Sequence, residues 1–433
     1  MNKAQLIIFA AIGAIVLLAV LLITGAIPGL RERPPAPFTL TIWGSRDAPG
    51  LWQDLGRTYR EEELASATIE YAQKDPKTYE AELVNALAAG RGPDLFLLTD
   101  ADLEAHRDKI APLPDGSLGY QKKSIKGVFA DGAIGVITDP SGALLAAPLD
   151  FDTLALFYNR DYLNAANIPA PPKTWAELAG QVKILTKLSA VGGIERSGAA
   201  LGTAANVRHA PDIFAALLYQ SGGAFADPAT GRGALVNPTT VLALTFYTSF
   251  ANTAKSTYSW NAFFAPSLDA FADGETAMAI GYAADVPAVA ARNPQLNFDV
   301  APLPQATDAK TPTAFGRLDL LAVSRASPRH EQAWKFLLWL QSKGAQKTYL
   351  DAVGLPPSRR DLVAAKPPRE YLTPFYDQVL IARTLPPALG GSLRRIVHDM
   401  VEAVANRRFS VEQAIGRAND AITAAAPNAE PSE

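Results

Sequence analysis

The chain has 433 residues, more than one hydrophobic core usually supports, so two lobes or domains are expected. Apolar residues make up 48% and charged residues 19%, which is typical of a folded globular protein and excludes a wholly disordered chain. The formal net charge of −3 argues against a nucleic-acid-binding protein, and the lack of cysteine excludes disulfides, thiolate metal sites and cysteine nucleophiles.

The N-terminus contains an uncharged, mostly apolar segment from Leu6 to Leu30. As a helix rising about 1.5 Å per residue it would reach roughly 38 Å, enough to cross a bilayer core of about 30 Å. We therefore expect a retained membrane anchor, although the small residues at 24–26 could also serve as a signal-peptide cleavage site. The sequence at 31–37 predicts a stiff proline-rich spacer, so residues 1–37 form the anchor and spacer.

Strand and helix patterns alternate in the part of the chain that follows. Phe38–Trp43 alternates like a strand, a helix is predicted over Leu51–Glu63, and Thr68–Ala72 is predicted as the next strand. A second helix ends at Gly90, and the apolar run Leu95–Leu98 predicts a third strand. This order is typical of a mostly parallel sheet covered by helices.

Helix signals are denser in the rest of the chain. Thr174 with Glu177 has the pattern of a capping box, and Ser410 with Gln413 has the same pattern before the last helix. The Pro/Ala-rich residues 426–433 are expected to form a flexible tail.

Four segments, taken together, resemble a known protein family. They are Leu83–Phe96 (LVNALAAGRGPDLF), Leu154–Leu178 (with LALFYNRDYL and PPKTWAEL), Phe271–Ile280 (FADGETAMAI) and His330–Leu340 (HEQAWKFLLWL). Their order and spacing within residues 38–425 are similar to those of family 1 extracellular solute-binding proteins, the maltose-binding-protein-like group. Many members of that group are tethered through a lipid-modified cysteine. This chain has no cysteine, so its apolar N-terminal segment would do the tethering.

The resemblance implies an α/β, two-lobed periplasmic-binding-protein-like fold (type II) with hinge crossings, preceded by one N-terminal transmembrane helix. Lobe one is expected at residues 38–150 plus 302–342, and lobe two at residues 151–301 plus 343–425. The hinge crossings are expected near residues 148–151, 300–303 and 340–344. Proteins of this kind close on their ligand by hinge motion.

The resemblance also implies the solute-binding subunit of an ABC importer, held at the cell membrane with its binding domain outside the cytoplasm. It would capture a sugar or oligosaccharide and deliver it to permease subunits. We expect a monomer without enzymatic activity, cofactor, metal or nucleic acid. Other cargoes stay open, among them a polyol, glycerol phosphate, a peptide and a metal complex. A sensory or adhesive module and a glycoside-acting enzyme are alternatives outside transport.

Residues for a sugar site are expected at the carboxyl ends of strands, where open α/β sheets form a crevice. Aromatic rings cover the apolar face of a sugar, while carboxylates, amides and arginines bind its hydroxyls. The candidates, from residue type, position and resemblance, are Trp43, Arg46, Asp47, Asp102, Asp152, Trp260, Tyr282, Asp285, Arg317 and Asp319. Leu98 stands where maltose-type relatives have a ligand-contacting tryptophan, so we expect a ligand other than maltose.

These candidates also have ordinary structural interpretations. Trp43 and Trp260 could be core residues, and Arg46 and Asp47 could form a solvated ion pair. Asp152 matches a carboxylate that binds sugar hydroxyls in relatives, but it could instead cap a helix or hold the hinge.

Several other conspicuous residues are predicted to be structural. Trp175, Trp334 and Trp339 lie on helical faces, where a bulky apolar side chain is expected to pack in the core. The motif Tyr158–Arg160 is a marker of the family that we also interpret as structural.

Overall fold

The computed structural model describes residues 2, 11–17, 20, 21, 36–307, 311–365 and 367–426. Residues 11–17, 20 and 21 are helical, and the rest of the predicted anchor, like nearly all of the predicted tail, lies outside the described residues. None of the described helices combines the length and the apolar composition that a membrane crossing requires.

The first sheet has five strands. Their order across the sheet is Ala67–Gln73, Phe38–Gly44, Leu95–Thr99, Asp319–Val323 and Ala147–Pro148. The first three are parallel to one another, and the last two pair antiparallel with their neighbours. The three strands predicted in the first part of the chain are thus confirmed, and they do lie in a mostly parallel sheet.

A second sheet and a small connecting sheet complete the main strand pairing. The second sheet is antiparallel and contains Phe298–Pro302, Ala155–Asn159 and Met278–Gly281. The connecting sheet contains Ala382–Arg383, Ala314–Arg317 and Asp152–Thr153. The chain passes from the first sheet to the second through Asp152–Thr153 and returns through Ala314–Arg317. A separate hairpin pairs Lys187–Leu188 with Ile194–Arg196.

Helices cover these sheets. In the first part of the chain the α-helices are Pro49–Glu62, Tyr79–Ala88, Lys122–Val128, Asp131–Ile137, Arg160–Ala165, Trp175–Leu185, Ala210–Gln220 and Pro238–Ser249. Later α-helices are Ser267–Ala272, Val286–Arg292, His330–Leu340, Lys343–Val353, Arg360–Val363, Thr373–Tyr376, Gly390–Ala405 and Val411–Ala425. Short 3₁₀ turns are Arg107–Lys109, Ser117–Gly119, Ala283–Asp285, Glu370–Leu372, Val379–Ile381 and Pro387–Leu389.

Predicted helix caps are formed in full or in part. The capping box of Ser410 and Gln413 is complete before helix Val411–Ala425. Thr174 accepts a hydrogen bond from the backbone N–H of Glu177, but the Glu177 carboxylate binds the N–H of Lys173 and not that of Thr174. The predicted box is therefore half formed, because Glu177 reaches one residue further back along the chain.

The predicted structural residues are buried or capping. Trp175, Trp334 and Trp339 are buried, and their indole N–H groups donate to Gln220, to the Ala111 carbonyl and to Glu62, respectively. In the family marker, the Asn159 side chain accepts from the Tyr162 N–H and so caps the helix that follows its strand. The structural interpretation of both features is confirmed.

Helix Lys343–Val353 packs against helix Pro49–Glu62, which covers the first sheet. Helix Arg360–Val363 contacts helix Lys122–Val128 in the same region, whereas helix Thr373–Tyr376 contacts the second sheet and the connecting sheet. The predicted limits assign all of residues 343–425 to lobe two. These contacts instead associate the first part of that range with the first sheet.

Candidate functional site

Arg46 lies just beyond the end of strand Phe38–Gly44. Its guanidinium donates to Asp319 through Nη1 and to Asp150 Oδ2 through Nη2 at 3.1 Å, and its Nε lies 3.6 Å from Asp47 Oδ1. Asp150 and Asp319 come from the segments that enter and leave the connecting sheet. Three carboxylates therefore meet around one guanidinium beside the passage between the two sheets.

Asp47 is buried behind Arg46. It accepts hydrogen bonds from the Tyr349 hydroxyl at 3.2 Å and from the Trp52 indole N–H at 3.1 Å. Burial raises the pKa of Asp47, although Arg46 and the two hydrogen bonds oppose that rise. With its oxygens occupied inside the fold, Asp47 can orient Arg46.

Asp150 and Asp319 form a close acidic pair. The backbone N–H of Asp319 donates to Asp150 Oδ1 at 3.3 Å. Burial and the neighbouring charge of Asp319 raise the pKa of Asp150 well above its usual value. Burial also acts to raise the pKa of Asp319, but the charges of Arg46 and Arg317 outweigh it and lower that pKa. As the pH falls, Asp150 therefore takes up a proton before Asp319, which stays ionised.

Asp152 caps a distant turn. Its two oxygens accept the backbone N–H groups of Ala283 at 2.9 Å and Ala284 at 3.0 Å, at the start of a 3₁₀ turn after the second sheet. Arg317 Nη2 lies 4.0 Å from Asp152 Oδ2. Burial raises the pKa of Asp152 to about 6, against the opposing effects of Arg317 and the two amides. This geometry favours the capping interpretation of Asp152 over the predicted ligand contact.

Tyr282 is fully buried between the side chains of Arg317 and His209. The Arg317 guanidinium lies 4.3 Å from the centre of its ring on one side, and the His209 ring packs edge-on at 4.7 Å. The Tyr282 hydroxyl donates to Asp212 Oδ2 at 2.9 Å, and Arg394 Nε donates to the other oxygen of Asp212 at 2.9 Å. Tyr282 therefore acts as a fixed platform under Arg317, because its hydroxyl cannot rotate away without losing Asp212.

Asp285 closes the same turn. Its Oδ2 accepts the Tyr282 N–H at 2.8 Å and lies 2.9 Å from His209 Nε2, while Arg208 Nη1 is 3.7 Å from Oδ1. Burial acts to raise the pKa of Asp285, but the His209 contact and the amide outweigh it, so the pKa is lowered. Asp285 is therefore an anchored carboxylate whose remaining interactions are with Arg208 and Arg317.

The other predicted site residues lie apart from this network. Asp102 accepts hydrogen bonds from the Thr99 hydroxyl and N–H and so closes its own turn. Trp43 is half-buried, with the Lys74 ammonium 3.8 Å from the centre of its ring. Trp260 is fully buried and stacks on Phe264, with its indole N–H bound to an amide oxygen. The placement of Trp260 favours the core interpretation over the predicted contact with a ligand.

The network also contains residues that were not among the predicted site residues, and they share no motif. They are Asp150, Tyr349, Arg208, His209, Asp212 and Arg394. Asp150 had one signal, because it stands two residues before Asp152 at the same crossing. Tyr349 and Arg394 lie on late helices, and only the tertiary fold brings them to the crossing.

Asp100, directly after strand Leu95–Thr99, is buried, and its Oδ1 has no hydrogen-bond partner among the described residues. Burial raises its pKa to about 7, with Arg394 opposing that rise and the nearby charges of Asp212 and Asp319 adding to it. Between about pH 4 and pH 7 the folded state thus holds a proton that the unfolded state releases, so stability falls as the pH rises through this window.

We expect Asp100→Asn to raise the free energy of unfolding at pH 8, by up to about 4 kcal/mol, since three pKa units are worth about 1.4 kcal/mol each. The gain should shrink to about 1.7 kcal/mol at pH 5, because the folded carboxyl is then neutral and only the 1.2 pH units above the unfolded pKa of 3.8 contribute. Urea denaturation at both pH values measures it, with the exposed Asp54→Asn as the matched control. An equal effect of Asp100→Asn at both pH values would contradict the assigned pKa.

A cavity of about 490 Å³ opens between the end of strand Phe38–Gly44 and the turn that Asp152 caps. Its walls are formed by Arg46, Asp47, Ala48, Leu51, Ala283, Ala284, Pro287 and residues 352–355. The volume lies within the range of about 300–1,000 Å³ that small-molecule sites usually have. Among the described residues, no group of three or more His, Asp and Glu side chains is arranged to hold a metal ion.

A backbone hydrogen bond joins helix Gly390–Ala405 to the segment that follows strand Leu95–Thr99. The backbone N–H of Gly391, at the start of helix Gly390–Ala405, donates to the carbonyl of Ala101 at 3.0 Å. Gly390 has a φ of +41°, and a Cβ atom there would lie 2.6 Å from the Ala101 oxygen. Only glycine allows the helix to approach this closely.

We expect Gly390→Ala to lower the free energy of unfolding by about 1–3 kcal/mol, because alanine is strained at positive φ and meets the Ala101 carbonyl. Gly391→Ala is the matched control, since a Cβ atom at that position meets nothing within 4 Å. Chemical denaturation of both variants tests this. Equal losses in the two variants would show that the close approach at Gly390 does not matter.

Comparison with known proteins agrees with this architecture. The family described as bacterial extracellular solute-binding protein matches residues 59–372. An ABC transporter solute-binding protein from Thermotoga lettingae, solved with alpha-D-tagatose, has a TM-score of 0.68 and 23% identity, covering 89% of this chain and 99% of its own.

Two other solved structures are similar. The cyclic alpha-maltosyl-1,6-maltose binding protein of Arthrobacter globiformis has a TM-score of 0.76 and 18% identity, covering 90% of this chain and 99% of its own. The sugar-binding protein MalE of Xanthomonas citri has a TM-score of 0.72 and 19% identity, covering 90% and 97%. At these identities the likeness shows a shared two-lobed α/β fold. The family match, which spans well over half of the chain, shows that this protein belongs to the bacterial extracellular solute-binding proteins.

Proposed function

We propose that this chain is the extracytoplasmic solute-binding subunit of an ABC importer and that it holds a carbohydrate between its two lobes. The cavity between Arg46 and the Ala283–Ala284 turn carries the proposal, because its two walls come from segments that follow different sheets. Short strands of the connecting sheet link those sheets and could serve as a hinge. The solved neighbours named for tagatose and for cyclic maltosyl-maltose support a sugar as the ligand.

We propose different roles for the predicted site residues. Arg46, Arg317, Asp285 and Asp319 would contact the ligand, since each keeps part of its side chain accessible in the network. Asp47, Asp152 and Tyr282 would position those residues from behind. Trp43 and Asp102 stay predictions, and Trp260 is assigned to the core.

The contacts of the late helices suggest lobe limits that differ from those expected from sequence. We propose that lobe one contains residues 38–148 and 319–365 and that lobe two contains residues 155–302 and 373–426. The connections between them would then be 149–154, 303–318 and 366–372.

The membrane attachment rests on the apolar sequence from Leu6 to Leu30. We expect the exported protein to keep this segment and to remain in the membrane fraction, from which it would serve permease subunits as a monomer. Mass spectrometry of the purified native protein gives its N-terminus. A mature N-terminus at Ile27 or beyond would exclude the retained anchor.

The carbohydrate proposal is tested by a thermal-shift screen of the purified chain against mono- and oligosaccharides. A ligand that binds only the folded state stabilises it by RT ln(1 + [L]/Kd), about 2.7 kcal/mol at 100 times Kd. We expect at least one sugar to raise the melting temperature in a concentration-dependent way. A response to peptides or amino acids, with none to any sugar, would overturn the assignment.

A further inference from the structure

At the connecting sheet the arginine side chains are partly exposed, whereas the carboxylates beside them are buried or nearly so. The side chains of Arg46, Arg208 and Arg317 are 36%, 45% and 27% exposed. The carboxylates beside them are at most 13% exposed, and they are Asp47, Asp150, Asp152, Asp285 and Asp319. The accessible charge of this site is therefore positive, although carboxylates outnumber arginines within it.

Arg317 differs from Arg46 in how its donors are used. Arg46 is bound to Asp319 and Asp150, whereas the Nε of Arg317 is buried and has no hydrogen-bond partner in the part of the chain that the structure describes. The nearest carboxylate oxygen, Asp152 Oδ2, is 4.0 Å from Nη2, and both oxygens of Asp152 already accept backbone N–H groups. A donor without an acceptor is costly, and the 27% exposure of the Arg317 side chain leaves part of its guanidinium open to an arriving acceptor.

Arg317 is also held in place before any ligand arrives. Its guanidinium lies over the ring of Tyr282 at 4.3 Å, and the Tyr282 hydroxyl is fixed by Asp212. Asp212 is fixed in turn by Arg394. Because this chain of contacts prevents the ring from moving, little side-chain freedom would be lost when Arg317 binds an acceptor.

We infer that the ligand is an acidic sugar and that Arg317 binds its carboxylate. This rests on the proposed function and narrows it to a class of substrate. The planar guanidinium presents parallel N–H donors that match the two oxygens of a carboxylate. A neutral sugar would instead favour exposed rings and exposed carboxylates beside Arg317, but the Tyr282 ring there is fully buried and the neighbouring carboxylates are at most 13% exposed.

A phosphate group fits the site less well than a carboxylate. Phosphates are bound well by free backbone N–H groups at the start of a helix or turn. In this site the N–H groups of Ala283 and Ala284 are already capped by Asp152. An anionic ligand would therefore be bound mainly by guanidinium groups, which suit a carboxylate.

The test compares each acid with a neutral form of the same shape. Calorimetric titration of the full chain in detergent would use digalacturonate, diglucuronate and dimannuronate, each beside its methyl ester, together with galactose 6-phosphate. We expect one acid to bind at least tenfold more tightly than its ester. An ester that binds as tightly as its acid would overturn the acidic ligand and leave carbohydrate binding intact. Binding of galactose 6-phosphate alone would overturn the carboxylate, and a chain that binds none of these probes would overturn the inference outright.

Variants of Arg317 then test whether this residue causes the tighter binding of the acid than of its ester. Arg317→Gln should weaken binding of the acid by about 10- to 150-fold, the range expected for the loss of a charge-assisted hydrogen bond, and should leave the ester unchanged. Arg317→Lys keeps the positive charge but loses the planar pair of N–H donors, so it should lose part of the preference for the acid over the ester. Arg160→Gln is the matched control, because Arg160 follows the far end of strand Ala155–Asn159 and is 54% exposed. Should Arg317→Gln fail to fold, the comparison of acid with ester on the wild-type chain still decides the ligand class.

Discussion

Replacing Asp152 with alanine is expected to lower the free energy of unfolding by about 3–5 kcal/mol, the loss that follows when one partner of a buried charged contact is removed. The N–H groups of Ala283 and Ala284 would lose their acceptors, and Arg317 would lose its nearest carboxylate. Asparagine keeps one oxygen as an acceptor, but its NH₂ group would face the second backbone N–H, and two donors cannot bond. Its cost should therefore be about 1–3 kcal/mol.

Urea denaturation of the Asp152 variants measures these losses. Asp351→Ala is the control, because Asp351 forms an exposed pair with Lys347, and such pairs are worth about 0–1 kcal/mol. If Asp152→Ala folded as stably as the wild type and lost only ligand affinity, Asp152 would be a ligand residue and the capping role would be wrong.

Replacing Arg46 with methionine is expected to cost about 3–5 kcal/mol at pH 8, because buried carboxylates would lose their counter-charge. Asp47, Asp150 and Asp319 all contact this guanidinium. Without it their folded-state pKa values rise, so the folded variant binds more protons than the unfolded chain above about pH 4. The stability of the variant therefore falls as the pH rises, and its deficit relative to the wild type should be smaller at pH 4.5 than at pH 8.

Denaturation of the Arg46 variant at pH 4.5 and pH 8 tests both the size and the sign of the effect. Arg57→Met is the matched control, because Arg57 forms an exposed hydrogen bond with Asp54 on helix Pro49–Glu62. A deficit that was the same at the two pH values would mean that loss of side-chain contacts, and not of charge, explains it.

Local signals in the sequence were sufficient for the elements and for the family. The strand Phe38–Gly44 alternates in hydropathy, and Ser410 with Gln413 forms the predicted cap, because both depend on neighbours within a few residues. The position of helix Lys343–Val353 against helix Pro49–Glu62 could not be predicted in this way. Its apolar face identifies a helix but not the partner that covers it.

The site was predictable where a polar residue lies at the end or the start of a strand, as with Arg46 and Asp319, which lie beside each other at the crossing. The orientation of each side chain was not. Asp47 turns inward to Tyr349 and Trp52, and Asp152 turns to the amides of a turn about 130 residues later in the chain. Sequence supplies the chemical type of such residues, whereas the contacts that occupy them arise from distant segments.

We propose that a solute binds between the two lobes and brings them together. The chain has no cysteine, so Gln53→Cys and Gln295→Cys would introduce a single pair of spin labels at exposed positions, one on helix Pro49–Glu62 over the first sheet and one just before strand Phe298–Pro302 of the second sheet. We would record the distance distribution between the labels with and without a sugar whose binding calorimetry has established. Closure of the lobes on the sugar should shift the distribution to shorter distances at saturating sugar. An unchanged distribution at saturation would contradict this closure.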